Sequence, residues 1–173
     1  DSVENVTLSY NLWMSNESRN PKAKGTIQYI NNVVYNWGYT GLCGGHSAAD
    51  RWLDVIGNYF VAGPSSNDRF AGQFLASDHV YQHDNVIDLD RNGVLDGRAA
   101  RPEEFHRPDE ERYTLPTFTE APAMKPVVPV TVVSAAEAFA RVAAEAGCSL
   151  RRDAVDRRLI AELRSLGTKG ATI

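Results

Sequence analysis

Four asparagines constrain this chain more than any other feature of it. When Asn11, Asn32, Asn58 and Asn85 are superposed, their neighbours fall into columns. Five positions earlier stand Val6, Ile27, Leu53 and Val80; three earlier stand Leu8, Tyr29, Val55 and Gln82; one later stand Leu12, Val33, Tyr59 and Val86. Only Gln82 breaks the apolar columns. Alternation at the first two columns has the period of two of a strand with one buried face, and β-branched or aromatic side chains dominate it. The asparagines are 21, 26 and 27 residues apart, a coil length that suits a solenoid in which every turn adds a strand to a parallel sheet and loops absorb the differences. An asparagine at the same place in each turn is expected at a bend, where it tolerates left-handed backbone, with its amide bonded to the next along the stack. With right-handed crossovers, the expectation is an all-β fold: a right-handed parallel β-helix of about four coils over residues 1–97, followed by a C-terminal helical extension.

The repeat stops at Arg98. Six of the chain's eight prolines fall between there and Val130, and proline fixes φ and removes a donor, so residues 98–130 are expected to wrap the surface with little regular structure. Residues 131–173 change to helical period. Ser134 to Glu137 forms a capping box; Phe139, Val142, Ala143 and Ala146 share a face, and Gly147 closes the helix. A second helix is expected from Asp153, burying Val155, Leu159, Leu163 and Leu166 and ending at Gly167. The two apolar stripes need the side or the open end of the coil stack to cover. Nothing ahead of Val6 covers the first coil, which predicts an upstream β-helix segment or a second chain as partner.

A net charge of −4 leaves no electrostatic footprint for nucleic acid, and no apolar run reaches the length of a membrane span. Neither partner is expected. Cys43 and Cys148 could form one disulfide, but their spacing does not demand it, and two free thiols are the preferred reading.

Between the first two asparagine strands lies the basic cluster Ser18-Arg19-Asn20-Pro21-Lys22-Ala23-Lys24-Gly25. On spacing alone it is a solvated basic turn. Arg19, Pro21 and Lys24, followed by Gly25, Gln28 and Asn32, nevertheless resemble the Arg-x-Pro-x-x-Arg segment of the family-one pectate lyases, which leads into a strand carrying a glycine, a histidine and an asparagine. This chain departs from that pattern in having lysine for the second arginine, glycine immediately after it, and Gln28 where a histidine is usual. The runs ENVTLSYNLWMSNESRNP and YINNVVYNWG resemble the same family, and the tail SAAEAFARVAAEAGCSLRRDAVDRRLI resembles a C-terminal extension of bacterial members.

The resemblance implies a secreted or extracellular enzyme, or a periplasmic one, that cleaves de-esterified pectin (polygalacturonate) by calcium-assisted β-elimination. Calcium would neutralise the uronate and acidify its C5 proton, with the metal's ligands and one substrate lysine lying mostly outside this chain. Arg19 falls at the catalytic position, and Lys24 and Lys22 would hold substrate carboxylates. A guanidinium stays protonated in proteins, so service as a base needs hydroxide assistance or an unusual environment. A non-catalytic β-helix subunit binding acidic polysaccharide or a partner chain is the alternative, and a pectin lyase acting on methylated substrate without calcium is a third reading.

Asp88, Asp90, Asn92 and Gly93 match positions one, three, five and six of a calcium loop, with Asp96 at nine. Ala99 at twelve lacks the bidentate carboxylate and a strand precedes the loop, so these residues read first as turn formers and second as a calcium site. His79 and His83 lie on a strand, where their spacing gives no chelate. His46 follows two glycines without the acidic pair that a glycoside hydrolase needs, and His106 is expected to be exposed. Trp13, Tyr35, Trp37 and Trp52 could stack on sugar rings, although packing accounts for most of them.

Overall fold

The computed structural model describes residues 3–45, 49–67, 71–106, 115–125 and 128–172. The asparagine columns become neighbouring strands. One five-stranded sheet runs in the order β1 (Val6–Ser9), β3 (Thr26–Ile30), β6 (Arg51–Ile56), β9 (Asp78–His83), β12 (Thr117–Phe118), and all its pairs are parallel. Val6, Ile27, Leu53 and Val80 stand side by side in it, as do Leu8, Tyr29, Val55 and Gln82. The second sheet follows the asparagine bend of each turn: β2 (Leu12–Met14), β4 (Val33–Tyr35), β7 (Tyr59–Val61) and β10 (Val86–Asp88), all parallel, with β11 (Arg98–Ala99) antiparallel at the far edge. A third column is short: β5 (Leu42–Cys43) pairs with β8 (Gly72–Gln73), and Lys22 bridges to Cys43.

The inward residues of all three columns form one core, with Ile27, Tyr29, Val34, Leu42, Leu53, Phe60, Phe74, Val80 and Ile87 buried. A 3-10 turn, Pro102–Phe105, closes one end by placing the fully buried Phe105 ring against Phe60 and Phe74, at 5.5 and 5.9 Å between centroids. At the other end β1 and β2 are the sheet edges, and their residues are only half-buried.

The amides of the four asparagines form the expected ladder. Asn32, Asn58 and Asn85 each accept, on the side-chain carbonyl, the backbone N–H and the side-chain N–H of the asparagine one turn earlier, at 2.8–3.2 Å. Each also donates to the carbonyl three residues before that asparagine: Leu8, Tyr29 and Val55 respectively. The left-handed residue is not the ladder asparagine, however, but the residue before it: Tyr10, Asn31, Gly57 and Asp84 have φ of 56, 53, 61 and 51°. The bend needs its reversal one position earlier so that the asparagine backbone stays free to bond along the stack.

Helices α1 (Ala135–Glu145) and α2 (Ala154–Leu163) lie over the outer face of the second sheet, where Phe139, Val142, Ala143, Ile160 and Leu163 pack with Val33, Tyr35, Tyr59 and Val61. They cover the side of the stack. Ser134 caps α1 by accepting the N–H of Glu137, and Asp153 caps α2 with Asp156 reciprocating. Val155 is 55% exposed, against expectation, and Ile160 takes the inward position; the stripe that meets the sheet lies on the following face of the helix. Cys43 is buried and Cys148 exposed, and they are not bonded to each other. His106 is half-buried rather than exposed.

Replacing Asn58 by alanine removes the acceptor of Asn32 and the donor to Tyr29 while leaving both backbone groups inside. We expect a loss of about 2–4 kcal/mol in the free energy of unfolding by urea, several times the effect of Asn92→Ala at the surface.

Candidate functional site

The basic segment is held by the residues that alternate with its cations. Asn20 is fully buried; its N–H donates to the Gly41 carbonyl at 2.9 Å and its side-chain amide to the Thr40 carbonyl at 3.1 Å, while Asn16 donates to it at 2.7 Å. Ala23 is buried too, with its N–H on the Cys43 carbonyl at 2.7 Å, and the Cys43 N–H returns to the Pro21 carbonyl at 3.0 Å. Arg19 and Lys24 are consequently exposed and Lys22 is half-buried. The three cations expected from the sequence are therefore on one short, anchored stretch. Arg19 has a φ of 66°, in the left-handed region that a non-glycine residue rarely occupies. Its N–H donates to Thr40 Oγ1 at 3.3 Å and its guanidinium to Ser18 Oγ at 3.1 Å. It belongs to neither of the bend positions that recur from turn to turn, at Tyr10 and Asn31 or at Ser15 and Asn36.

Burial lowers the Lys22 pKa from its ordinary value, and the neighbouring charges of Lys24 and Arg19 lower it further against the opposing pull of Cys43 and Asp78. The ammonium lies 4.0 Å from Cys43 Sγ. Below it Asp78, which sequence reasoning did not single out, is fully buried and accepts the N–H groups of Gly45 and Leu75 at 3.0 and 2.8 Å. Burial pushes its pKa up to about 6. The segment thus offers two exposed cations and one partly desolvated cation to an anionic ligand.

Gln28 does not point at this ligand surface. It is buried and donates to Asp54 Oδ2 at 3.1 Å and to the Met124 carbonyl at 3.0 Å, while the Ala123 and Met124 N–H groups donate to the same aspartate. This position of the motif fastens the proline-rich stretch across the first sheet. His46 lies outside the described residues.

The candidate calcium loop follows β10. The carboxylates that converge are Asp88, Asp90 and Asp96, with one oxygen of each within 4.8 Å of the others. Asn92 adjoins them. Its amide donates to Asp90 at 2.7 Å and to Asp96 at 3.2 Å, and its carbonyl accepts the Val94 N–H, so it shapes the turn. Asp88 is 4% exposed, and its Oδ2 is buried with no hydrogen-bond partner. Burial, then the charges of Asp90 and Asp96, push its pKa up to about 6. Three oxygens with one left unsatisfied fit a hard divalent cation. The cluster is at the end of β10, three turns along the second sheet from β2, whose exit leads to Arg19. Among the described residues no comparable acidic group stands beside Arg19, so a cation adjoining that residue would need ligands from elsewhere.

Comparison with known proteins finds relatives along nearly all of the chain. It is 39% identical over 169 residues, 97% of its length, to a protein of Neosartorya fischeri named probable pectate lyase C. Proteins of that name from Aspergillus fumigatus and Aspergillus terreus are 38% and 36% identical over the same share. The chain spans 39% of the length of each of these relatives. No family model and no solved structure matches it.

Because the folded Asp78 holds its proton more tightly than an unfolded aspartate with a pKa near about 4, its contribution to stability is full at low pH and is lost as pH rises through about 6. Denaturant melts of the wild type and Asp78→Asn should therefore diverge from about pH 4 to pH 6, the wild type losing about 1–3 kcal/mol relative to the variant.

Proposed function

Since the chain is a relative of the pectate lyases over 97% of its length, we propose that it carries the cation segment of a lyase site that cleaves polygalacturonate. The observation that carries this reading is the stretch from Arg19 to Lys24, in which buried Asn20 and Ala23 hold three cations outward and Arg19 keeps a left-handed backbone. Strain of that kind is retained where the surroundings over-determine it, as at catalytic positions.

The reaction is a β-elimination. The C5 proton of a uronate is removed, its electron pair forms the C4–C5 double bond, and the C4–O bond breaks with the glycosidic oxygen taking up a proton. Negative charge builds on the uronate carboxylate as C5 loses its proton. Lys22 and Lys24 hold that carboxylate chain, and Arg19 faces the reacting carbon, where its fixed positive charge lowers the cost of the developing anion and of the hydroxide that accepts the proton. Bound calcium would add further neutralisation of the uronate. We propose that the ligands for that ion, and a further substrate lysine, come from an upstream β-helix segment or a second chain. The relatives extend well beyond the length matched, and the half-buried edge strands β1 and β2 could accept another turn.

In the same reading the fold is a right-handed parallel β-helix, divided into coils over 1–97, a wrapping connector over 98–130 and a helical pair over 131–173, and the protein acts outside the cell. Among the described residues no helix is long and apolar enough to cross a membrane. We also propose that Asp88, Asp90 and Asp96 bind calcium as a brace on the loop after β10, apart from the chemistry. Millimolar calcium should raise the melting temperature at neutral pH, and Asp88→Asn should abolish the rise; an unchanged rise in that variant refutes the brace.

Ultraviolet absorbance of unsaturated uronide, followed on polygalacturonate with and without chelator, tests the catalytic reading. The chain joined to its upstream segment should form product that chelator suppresses, with Arg19→Ala slower by about 10²–10³-fold and Lys24→Ala weakened in KM. Product that survives Arg19→Ala rejects the assignment. Chelator-insensitive product from methylated pectin favours a pectin lyase, and binding of polygalacturonate without product favours the non-catalytic subunit.

A further inference from the structure

The outer face of the first sheet is divided in two. Strand alternation puts Thr26 and Gln28 of β3, Trp52 and Asp54 of β6, and His79 and Tyr81 of β9 on that face, in adjacent rows. The row of Gln28 and Asp54 is buried under residues 123 and 124, which bond to both. The row before it, Thr26, Trp52 and His79, has no such cover among the described residues. Trp52 is 40% exposed, whereas Trp37 is fully buried and Trp13 half-buried.

A single exposed aromatic is ordinary on a protein surface, but this one is held rigidly. The Trp52 and His79 rings are stacked, 4.9 Å between centroids and 11° from parallel, and His79 Nε2 is 3.5 Å from the Asp50 carboxylate. One face of the indole is thereby occupied. Its neighbour on the opposite side is Thr26, whose side chain is too small to cover an indole. That open side faces the strand that begins two residues after Lys24, and strand spacings place Lys24 within about 10 Å of Trp52, counted between backbones. An apolar plate thus adjoins Lys24, the last of the three cations, with the connector at Ala123 and Met124 on its other border. A hexuronate has matching parts: one pyranose face presents only C–H groups, and the carboxylate projects from the ring edge.

We propose that Trp52, backed by His79, is a stacking platform for one uronate ring of an oligogalacturonate whose neighbouring carboxylates are held by Lys24 and Lys22. This rests on the lyase reading above and extends it to the binding of the chain on one side of the reacting residue. Trp52 touches no reacting atom; it positions. The platform acts by shape and dispersion, so its contribution is insensitive to salt, whereas that of the lysines is screened.

Calorimetric titration of the chain joined to its upstream segment with hexagalacturonate, at low and at high salt, tests this. Trp52→Ala should weaken binding about tenfold at both salts, Trp52→Phe should stay within about threefold of wild type, and Lys24→Ala should weaken binding at low salt only. Tryptophan emission should change on titration of the wild type and stay constant in Trp52→Phe, because Trp37 is fully buried and Trp13 stands on the second sheet, packed against the core. Wild-type affinity in Trp52→Ala overturns the platform and leaves the lyase reading standing, and so does an equal loss in the alanine and phenylalanine variants. Absence of any hexagalacturonate binding by the wild type overturns the lyase reading itself.

Discussion

The asparagine amides solve the one problem that stacking turns of chain creates. At each bend between the first and second sheets the backbone leaves one ladder before joining the next, and its N–H and C=O groups lie inside, away from water. One side chain per turn satisfies both: its carbonyl takes the N–H of the asparagine in the turn before, and its amide reaches the carbonyl three residues earlier in that turn. A slip of one residue would break both bonds and move every core side chain to the outside. Because each amide also bonds the next, the registers of both sheets are set together, and the inward columns are superposed without further adjustment.

That regularity determines where function can reside. The inner face is committed to packing, and the outer face of the second sheet carries Val33, Tyr35, Tyr59 and Val61, which α1 and α2 cover. What remains are the loops leading to the first sheet and that sheet's outer face. Loop length varies from turn to turn without disturbing the ladder, so a strained, cation-bearing segment can be inserted there at little expense to the stack. The acidic loop after β10 has the same freedom three turns along.

The strands were legible because their columns repeat, and the helix caps because Ser134 and Asp153 act within three residues of themselves. Interactions across many residues were not. Gln28 meets the Met124 carbonyl 96 residues away, and nothing near Gln28 announces that the connector will bury it. Trp52 is one of four aromatics that, in the sequence, could be core or could stack on a sugar, and its register beside Thr26 and His79 puts it on the outer face. In the acidic loop, position counting named Asp88, Asp90, Asn92 and Asp96 together, but not that Asn92 would donate to both Asp90 and Asp96 while their carboxylates converge on Asp88. The left-handed residues show the same limit: asparagine marks the bend, but the residue before it makes the turn, and at Tyr10 nothing in the side chain favours that backbone.

Three cations within six residues repel one another, and the lowered pKa of Lys22 reflects that repulsion added to burial. Asp78, whose charge acts on Lys22, is a partial remedy. Its own burial keeps it a weak one, since a carboxyl raised to about 6 by desolvation has already given up much of its preference for the charged form, and the charge it does hold is directed to the N–H groups of Gly45 and Leu75. The segment therefore keeps a net positive charge among Arg19, Lys22 and Lys24. In the proposed reading, a polyanion laid along Arg19, Lys22 and Lys24 would relieve that repulsion as well as being attracted directly, which would favour a ligand with several carboxylates over one with a single charge. The buried Asn20 and Ala23 fix the backbone of the segment, so the three cations keep their places along it whatever their side chains do.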